Sequence, residues 1–541
     1  MATRRDIAGY SVRWDQDRAD AAYAQGWWTR ETLADSLRRA ATETPDRVLV
    51  VDGEMRLDCR TLHVRAASLA QALLARFAPG SVVSFMLPNW HEAAEIYLGA
   101  TLAGMVAHPV MPSLRDRDLI FMLADVGSRM IFVPAELRGF DYRAMMDRIG
   151  PQFDASPEVV VLRGGPGDHT AYASLFGSPK GYPLPVQDAD AVRMVLYTSG
   201  TTGSPKGVLH SHNSINALIR QLGRHWLAER GDKFLVPSPI AHIGGSIYAF
   251  EMPLLLGTTA ILMEKWDADH AVRLIDAERC THTAGATPFL TQILESARRA
   301  NTRLPSLKLF ICGGASVPPS LIRGAADYFD NAIVTRVYGS TEVPVTTVGT
   351  IDRDDVTHAA ETDGAPGIAE VRLVADDGVA GEEGEIRARG AQMLVGYLHP
   401  EDEATVFDDE GFYRSGDLAR RIDGRFLVVS GRSKDIIIRK GENISPKEIE
   451  DILVDHPGIA EIAIVGVPDE KTGERACAVI VPREKSRPDV AALRAFLDAQ
   501  GVATFKVPEQ VDLRDSLPKN DAGKVLKHVL RAELKHTGRE G

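Results

Sequence analysis

The sequence predicts an α/β protein with a large N-terminal domain of helix-covered sheets and a smaller α+β domain at the C-terminus. Three observations support this prediction. Short apolar runs alternate with amphipathic stretches, which is typical of parallel strands covered by helices. The chain has 541 residues, which is too long for a single hydrophobic core. Beyond about residue 435 the pattern changes to a compact mixture of short strands and helices.

The predicted large domain begins with a clear alternation of strands and helices. Residues 81–86 read SVVSFM and residues 130–133 read MIFV, and such apolar runs predict strands. Between them, residues 92–102 predict a helix. Residues 192–196, VRMVL, predict another strand directly before a loop rich in Ser and Gly. The sequence therefore predicts parallel sheets in this domain.

The C-terminal region predicts a compact domain of roughly 105 residues, well within the usual domain size. In its first helix, Ser445 is placed as the N-cap, Pro446 as the first helical residue, and Glu448 completes a capping box. The further elements predicted are strands over 462–467 and 476–481, a helix near 490–497, a strand near 510–513 and a final helix from Lys524.

Composition excludes several functional classes. The chain has 62 Lys and Arg against 74 Asp and Glu, and this net charge of −12 argues against binding to nucleic acid or anionic lipid. The first residues lack the apolar core of a signal peptide, and the apolar stretch around 254–263 is too short to span a bilayer. A cytoplasmic protein without an integral membrane segment is therefore expected. Four scattered cysteines predict reduced thiols: Cys59, Cys280, Cys312 and Cys477.

One loop carries the most specific functional signal. Residues 197–207 read YTSGTTGSPKG, in which hydroxyl side chains alternate with glycines that let backbone N–H groups converge. Lys206 adds a positive charge, so the loop predicts a cradle for polyphosphate rather than a flexible surface loop. It is not a Walker A loop, because Pro205 precedes the lysine and no Ser or Thr follows it. The predicted phosphate-binding residues are Thr198, Ser199, Gly200, Thr201, Thr202 and Lys206.

This loop resembles the signature loop of the adenylate-forming superfamily, which includes acyl-CoA synthetases, peptide-synthetase adenylation domains and luciferases. The motifs described below also occur in that family's order, and the resemblance extends from about Leu33 to about Leu534. The resemblance implies a large ATP- and acid-binding domain over residues 1–431 and a small mobile domain over 432–541. It also implies a hinge at Lys434, although a solvated lysine looks the same in sequence.

Two motifs resemble the family's adenine and phosphate contacts. In residues 337–342, VYGSTE, Tyr338 offers a flat face for adenine, Thr341 a hydroxyl for the α-phosphate, and Glu342 an oxygen ligand for Mg²⁺. A surface turn before a strand is the alternative. Residues 312–318, CGGASVP, resemble the loop that passes close to adenine. The adenosine-binding residues that the resemblance implies are Gly314, Ala315, Ser316, Tyr338, Gly339, Asp417 and Arg432.

Three further motifs place charged residues around the nucleotide. Asp417, in YRSGDL, matches the family's aspartate that accepts from both ribose hydroxyls, and Arg432, in GRSKD, matches an arginine on the ribose and phosphate side. Lys524, in LPKNDAGKVL, resembles the catalytic lysine that bonds the carboxylate and the α-phosphate oxygen where charge develops. The alternative for Lys524 is one cation among a basic cluster. The implied catalytic residues are Lys524, Thr341, Glu342 and His242.

The region that distinguishes branches of the family is residues 237–246, PSPIAHIGGS. It has no acidic residue until Glu251, whereas amino-acid adenylation domains place an aspartate there. It resembles the acyl-CoA synthetase version, in which a histidine such as His242 gates the carboxylate; a core histidine is the alternative. The implied acyl-pocket residues, which include no Arg or Lys to pair a second carboxylate, are His242, Gly244, Gly285, Thr287, Gly313, Val343 and Pro344.

The resemblance therefore implies an ATP-dependent, AMP-forming acyl-CoA ligase that acts on a small-molecule carboxylic acid with Mg²⁺ and coenzyme A. Lys440, Gly441 and Glu442 lie along the implied coenzyme A path, although Gly441 also suits a simple turn. Residues 26–33 and 342–344 are similar to cyclohexanecarboxylate-CoA ligase-like synthetases, which favours an alicyclic, polycyclic or medium-chain acid. Two alternatives remain, a ligase that loads an acyl carrier protein and a non-catalytic nucleotide-binding regulator. A homodimer is compatible with the sequence.

Overall fold

The computed structural model describes residues 3–177, 181–198, 205–314, 317–375, 377–439, 442–469, 472–483, 486–520 and 523–537. Its strands, in chain order, are β1 (Thr3–Ile7), β2 (Tyr10–Trp14), β3 (Val48–Asp52), β4 (Met55–Asp58), β5 (Val82–Phe85), β6 (Val106–Pro109), β7 (Ser128–Pro134), β8 (Glu136–Leu137), β9 (Phe140–Asp141), β10 (Glu158–Leu162), β11 (Thr170–Ala171), β12 (Val192–Thr198), β13 (Lys206–Ser211), β14 (Lys233–Val236), β15 (Thr259–Leu262), β16 (His282–Gly285), β17 (Leu309–Cys312), β18 (Ile333–Arg336), β19 (Glu370–Val374), β20 (Ala380–Gly381), β21 (Glu383–Arg389), β22 (Gly396–Tyr397), β23 (Tyr413–Ile422), β24 (Phe426–Arg432), β25 (Ile437–Arg439), β26 (Glu442–Ile444), β27 (Ile459–Asp469), β28 (Gly473–Pro482) and β29 (Gln510–Leu513).

The α-helices, in the same order, are α1 (Gln16–Ala24), α2 (Leu33–Glu43), α3 (Cys59–Leu74), α4 (His91–Leu102), α5 (Asp116–Asp125), α6 (Tyr142–Ile149), α7 (His212–His225), α8 (Ile243–Ser246), α9 (Met252–Leu255), α10 (Ala268–Glu278), α11 (Thr287–Ala300), α12 (Pro319–Tyr328), α13 (Val356–Glu361), α14 (Pro446–Leu453), α15 (Val490–Ala499) and α16 (Lys527–Thr537). A π-helical segment, Ile247–Glu251, joins α8 to α9.

In the described residues, the large N-terminal domain is built on three large sheets, with two further two-stranded sheets, β1–β2 and β8–β9. The first has eight strands in the order β11, β10, β7, β5, β6, β12, β13, β22, and it is parallel up to β12. The second has seven strands in the order β18, β17, β16, β14, β15, β3, β4, with only the β3–β4 pair antiparallel. The predicted parallel, helix-covered sheets are confirmed. The third sheet, β20, β19, β21, β23, β24, is antiparallel and was not predicted.

Helix α4 shows how the two parallel sheets share one core. Its residues Glu92 to Leu102 are all buried, and the helix contacts β3 of one sheet and β5 and β6 of the other. A helix that is covered on every side needs apolar or small residues around its whole circumference. This explains why residues 92–102 predict a helix but show little polar face.

The C-terminal domain is built on a separate sheet of β26, β25, β28 and β27, with β29 added parallel to β28. The predicted strands and helices of this region are found with small shifts in their ends. The smaller C-terminal domain is thus confirmed as architecture. The third sheet ends at Arg432 and β25 begins at Ile437. The division at residues 431 and 432 stays a prediction, as does the mobility of the small domain.

Two local predictions in the C-terminal domain are wrong. Ser445 does cap α14, accepting the Glu448 N–H at 3.4 Å, but the capping box is incomplete because the Glu448 carboxylate binds Lys506 Nζ at 2.6 Å. The last helix begins at Lys527 rather than Lys524. Asn520 causes this delay, because its backbone and side chain hydrogen-bond the backbone of Lys524 at 2.9 and 2.8 Å and hold it in a tight turn.

The four cysteines all lie within the described residues, where each is buried and unbridged, as the sequence predicts. In that same part of the chain, every helix falls short of the length and apolar character that crossing a membrane requires.

Candidate active site

The ends of the predicted phosphate loop lie side by side. Thr198, the last residue of β12, pairs with Lys206, the first residue of β13, in an antiparallel register. Ser199, Gly200, Thr201 and Thr202 lie outside the described residues. Lys206 Nζ is 3.2 Å from Asp402 Oδ1 and 5.5 Å from the centroid of the Tyr397 ring. A carboxylate therefore balances the charge of the loop lysine in this structure.

The predicted adenosine residues converge on the carboxylate of Asp417. The pairing of β23 with β24 places Asp417 directly opposite Arg432, whose Nε donates to Asp417 Oδ1 at 2.9 Å. From beyond β18, the Tyr338 hydroxyl donates to Asp417 Oδ2 at 2.6 Å. Both oxygens of the carboxylate are thus held in a fixed orientation. Three of the predicted adenosine residues are brought together by these two bonds.

Glycine occupies two positions of the predicted adenosine site for two different local reasons. Gly314 has φ of +82°, a left-handed conformation in which a side chain would be strained. Gly339 has no room for a side chain, because a methyl group there would lie 2.5 Å from the Val345 backbone nitrogen. Ala315 and Ser316, the remaining members of the predicted set, lie outside the described residues.

Thr341 and Glu342 are held by residues that the sequence motifs did not reveal. His210 Nε2 lies 2.8 Å from the Thr341 carbonyl oxygen, and the Tyr397 hydroxyl donates to Glu342 Oε1 at 3.1 Å. Burial lowers the pKa of His210 to about 4, so its ring is neutral and donates one N–H. No sequence motif that we identified marks Tyr397. Its position follows from the strand pairing, in which β22 places it opposite Val208 on β13.

Lys524 of the small domain lies near the predicted adenosine residues Asp417 and Arg432. Its side chain is solvent-accessible, yet desolvation lowers its pKa, and the nearby charge of Arg432 lowers it further. Asp417 and Asp435 oppose that shift, which shows that Lys524 is within electrostatic range of the adenosine residues. The preceding Gly523 lies against Pro288 of α11, where a methyl group would be 3.7 Å from the proline ring. The structure thus brings Lys524 to the large domain.

Between the two domains, Lys434 lies on a single 3₁₀ turn, Ser433–Asp435, and is exposed. Its neighbour Asp435 forms an ion pair with Arg531 of α16. Of the predicted coenzyme A residues, Lys440 and Gly441 lie outside the described residues. Glu442 begins β26 and is exposed.

The predicted acyl-pocket residues occupy four segments of the large domain, at residues 242–244, 285–287, 313 and 343–344. His242 is the N-terminal cap of α8 and is half-buried. A methyl group on Gly244 would meet no atom within 4 Å, so this glycine faces open space. At Gly285 a methyl group would collide with the Phe289 side chain, and at Gly313 it would lie 2.8 Å from the Val337 carbonyl. Packing therefore explains two of these glycines without any ligand.

Of the other acyl-pocket predictions, Thr287 is half-buried, and Val343 and Pro344 are buried. Thr287 begins α11 and hydrogen-bonds the Cys312 thiol. Val343 is packed in a core cluster that includes Tyr397, and Pro344 is buried beside it. The sequence analysis missed Arg193, which the fold places fully buried against Glu251, close to the segment that follows His242.

Comparison with known proteins identifies the family. Residues 37–398 match the family model of the AMP-binding enzyme, and residues 448–524 match that of the AMP-binding enzyme C-terminal domain. The chain belongs to the AMP-binding enzyme family. The expected family and the expected α/β fold are thereby confirmed, and both family models fall within the two domains that the structure shows.

Two curated relatives of this AMP-binding enzyme cover nearly the whole chain. The medium-chain fatty-acid–CoA ligase of Escherichia coli K12 is 32% identical over 97% of this chain and 94% of its own length. The 3-[(3aS,4S,7aS)-7a-methyl-1,5-dioxo-octahydro-1H-inden-4-yl]propanoyl:CoA ligase of Rhodococcus jostii RHA1 is 32% identical over 93% of this chain and 99% of its own. Among solved structures, ATP-bound MatB from Rhodopseudomonas palustris superimposes with a TM-score of 0.84 and 28% identity, covering 93% and 99% of the two chains.

We predict that Tyr338→Phe weakens ATP binding about tenfold. The substitution keeps the ring but removes the hydroxyl that orients Asp417, and a hydrogen bond to a charged group typically contributes about 1.5 kcal/mol or more. Calorimetric titration with ATP measures the change. The matched control is Tyr328→Phe, whose hydroxyl donates to the Thr302 carbonyl at 3.0 Å and to none of the predicted adenosine residues that the structure describes. Equal affinity in the wild type and Tyr338→Phe would show that this hydrogen bond does not organise the adenosine site.

Proposed function

We propose that this AMP-binding enzyme is an ATP-dependent acyl-CoA ligase, which activates a carboxylic acid as an acyl-adenylate and transfers it to coenzyme A. The observation that carries the proposal is the position of Lys524 beside Asp417 and Arg432. The reaction class is that of the curated relatives, which are named as acid–CoA ligases and match almost the full chain. ATP and coenzyme A are the co-substrates of such enzymes. Because the family is one of enzymes, a purely regulatory role is disfavoured.

In the first step, a carboxylate oxygen of the acid attacks the α-phosphorus of ATP, and the bond to the β-phosphate oxygen breaks to release pyrophosphate. Asp417 and Tyr338 hold the adenosine, and Lys206 and the loop that ends at it receive the phosphates. Lys524 faces the α-phosphate, where charge develops in the transition state. Thr341 contributes its hydroxyl there, positioned through the His210 contact with its carbonyl.

Glu342 has the chemistry that Mg²⁺ prefers. Its carboxylate is 8% exposed, and Tyr397 binds only Oε1 among the contacts within the described residues. A magnesium site in such an enzyme needs one or two carboxylates, with the remaining ligands from phosphates and water. Glu342 therefore fits the role of the magnesium ligand. Bound Mg²⁺ would neutralise charge on the phosphates of ATP.

In the second step, the thiol of coenzyme A attacks the carbonyl carbon of the acyl-adenylate, and AMP leaves. The small domain, residues 432–541, would rotate about Lys434 between the two steps, so that Lys524 withdraws and the segment of Lys440, Gly441 and Glu442 faces the site. Support for this hinge comes from the exposed 3₁₀ turn between β24 and β25. Lys524 and the coenzyme A segment then act in different poses of one domain.

The substrate that we propose is an alicyclic, polycyclic or medium-chain acid, with His242 against its carboxylate and Gly244 facing the acyl group. One curated relative is named for medium-chain fatty acids and another for a bicyclic propanoyl group, which supports an acid of this size. Gly285, Thr287, Gly313, Val343 and Pro344 complete the proposed wall. We also propose a cytoplasmic location and a homodimer.

The proposed function predicts which nucleotide carries the label from [α-³²P]ATP. With a carboxylic acid and coenzyme A present, we expect the label in AMP and the acid in a thioester, because the attack occurs at the α-phosphorus. Thin-layer chromatography and mass spectrometry measure the two products. Label in ADP would exclude adenylation, and acyl-adenylate without thioester would exclude coenzyme A as the acceptor.

Lys524→Ala should separate the two half-reactions. Loss of one positive donor at the site of developing charge typically slows a reaction about 10²- to 10³-fold, so pyrophosphate release should fall by this factor. Thioester formation from preformed acyl-adenylate should stay near the wild-type rate, because Lys524 faces the site only in the first pose. Lys519→Ala, which removes an ion pair with Glu461 at 2.6 Å, is the matched control. Equal losses in both half-reactions would remove Lys524 from this role.

The rate of the first half-reaction should also fall at alkaline pH. We expect this fall at a pH that is lower than the ordinary pKa of a lysine. Desolvation and the charges of Arg432 and Lys527 lower the pKa of Lys524, and Asp417 and Asp435 only partly oppose this. The protonated lysine is the active form, so pyrophosphate release is full below this lowered pKa and falls as pH rises through it. In Lys524→Arg the guanidinium stays charged, and the alkaline fall should disappear from whatever activity remains. A wild-type profile that is flat up to pH 10.5 would contradict the assignment.

Restricting the hinge should stop the cycle between its two steps. Proline fixes φ near −65° and removes an N–H donor, so Lys434→Pro should release pyrophosphate in one turnover but form little thioester. Rapid-quench measurements of both products test this prediction. Lys434→Ala, which changes the side chain without restricting the backbone, is the control. Wild-type thioester formation by Lys434→Pro would exclude rotation about this residue.

A further inference from the structure

A buried ion pair lies in the core between the two parallel sheets. Arg193 of β12 is 1% exposed, and Glu251, the last residue of the π-helical segment, is 0% exposed. Arg193 Nη1 donates to Glu251 Oε1 at 2.5 Å. The hydroxyl of Tyr97, from α4, also donates to Glu251 Oε1 at 2.5 Å and accepts from Arg193 Nη1 at 3.1 Å. One oxygen of the glutamate thus receives both donors.

The rest of this ion pair is not satisfied by the described part of the protein. Arg193 Nε, Arg193 Nη2 and Glu251 Oε2 are buried and have no hydrogen-bond partner there. Buried polar groups are nearly always paired, so three unpaired atoms on two touching side chains need an explanation. Burial acts to lower the pKa of Arg193, but Glu251 and Tyr97 outweigh it and raise the pKa, so the guanidinium keeps its charge.

A second buried pair in the same domain shows what a purely structural arrangement looks like. In the pair of Arg336 with Asp363, Arg336 Nε and Nη2 both bond Asp363 Oδ1, and Nη1 bonds the Ala360 carbonyl at 2.8 Å. The other oxygen, Asp363 Oδ2, accepts the Val429 N–H at 2.8 Å. Each group of that pair is satisfied within the protein. The pair of Arg193 with Glu251 instead has two donors and one acceptor left over.

The unpaired atoms lie at the far end of the segment that begins beside His242. Helix α8 runs from Ile243 to Ser246 and continues directly into the π-helical segment that ends at Glu251. Ser246 Oγ and the Tyr97 hydroxyl both contact Met194 Sδ at 3.9 Å, so one side chain separates the α8 segment from the ion pair. Nine helical residues span about 13 Å. This length matches an acid of about ten carbon atoms whose carboxylate lies at His242.

We propose that Arg193 and Glu251 form a polar subsite at the inner end of the acyl pocket, which binds an uncharged oxygen group of the acid, remote from its carboxylate. The proposal rests on the proposed acyl-CoA ligase function and specifies its substrate class. A ketone accepts from the free donors of Arg193. A hydroxyl accepts from Arg193 and can also donate to Glu251 Oε2. Because the two charges cancel, the subsite offers no net attraction for a second carboxylate, which the free glutamate oxygen repels.

Such a subsite discriminates strongly between otherwise similar acids. A hydrocarbon tail displaces water from the subsite and leaves buried donors and an acceptor unpaired, whereas an oxygenated tail pairs them. The discrimination should therefore appear in kcat/KM for acids that differ only at the remote end. It should depend on the ion pair and not on the nucleotide site.

The test compares four acids of equal length: decanoate, 9-oxodecanoate, 10-hydroxydecanoate and decanedioate. The rate of pyrophosphate release with coenzyme A gives kcat/KM for each. We expect both the oxo and the hydroxy acid to exceed decanoate by about tenfold or more in the wild type, and decanedioate to be the poorest. Equal values for decanoate and the oxygenated acids would overturn the subsite and would mean that ordered water alone satisfies the ion pair.

The double variant Arg193→Met with Glu251→Leu removes both charges together, because removal of one partner leaves the other charge buried and unpaired. We expect the ratio of kcat/KM for the oxygenated acids to kcat/KM for decanoate to fall to about one in this variant. Preference retained in the double variant would overturn the proposal.

Tyr97→Phe provides a milder variant that keeps the proposal testable should the double variant not fold. It removes one donor to Glu251, so the preference should fall about threefold or more. Tyr142→Phe is the matched control, since that tyrosine is also buried and its hydroxyl donates to the Pro112 carbonyl at 2.7 Å, without contacting Arg193 or Glu251 among the described residues. An unchanged preference in Tyr97→Phe would count against the subsite. No pyrophosphate release with any of the four acids would overturn the ligase function itself, which is a different outcome from turnover without preference.

Discussion

The antiparallel pairing of β23 with β24 is the constraint on which the active site depends. It sets Asp417 opposite Arg432, and the same carboxylate receives the Tyr338 hydroxyl from a segment about 80 residues earlier in the chain. Two sheets of the large domain are thereby joined at one charged group. β24 ends at Arg432, directly before the turn that leads to the small domain. The position of Lys524 relative to Asp417 therefore depends on this strand pair.

The cations of the site are balanced by carboxylates in this structure. Lys206 is paired with Asp402, and Arg432 with Asp417, whereas Lys524 lies within range of Asp417 and Asp435. A polyphosphate that enters the cleft must compete with these carboxylates for the cations. This competition limits the affinity for free phosphate, while each carboxylate stabilises a cation in a chain whose net charge is −12. The positive charges at these residues therefore reflect the local fold and not the net charge of the chain.

A small residue in the predicted acyl pocket does not by itself leave room for an acyl group. Gly285 and Gly313 are small because the Phe289 ring and the Val337 carbonyl occupy the space of a side chain. Gly244, by contrast, faces open space on the segment that begins at His242 and ends at Glu251. The polar atoms of Arg193 and Glu251 lie at the other end of that segment. In the ligase that we propose, length along this segment and polarity at its end are the properties that we expect to distinguish one acid from another.

The sequence by itself determined the family and the two-domain α/β architecture, and its motifs predicted the nucleotide contacts that we propose. It could do so because these features depend on local chemistry: a loop of hydroxyls and glycines, the period of apolar residues, and short motifs such as those around Tyr338, Asp417 and Lys524. Only the tertiary structure decided the antiparallel third sheet, the contacts of His210 and Tyr397 with Thr341 and Glu342, and the partnership of Arg193 with Glu251. These contacts join residues 55 to 131 positions apart. Such partners are chosen by strand order and helix packing, which no local pattern in the chain records.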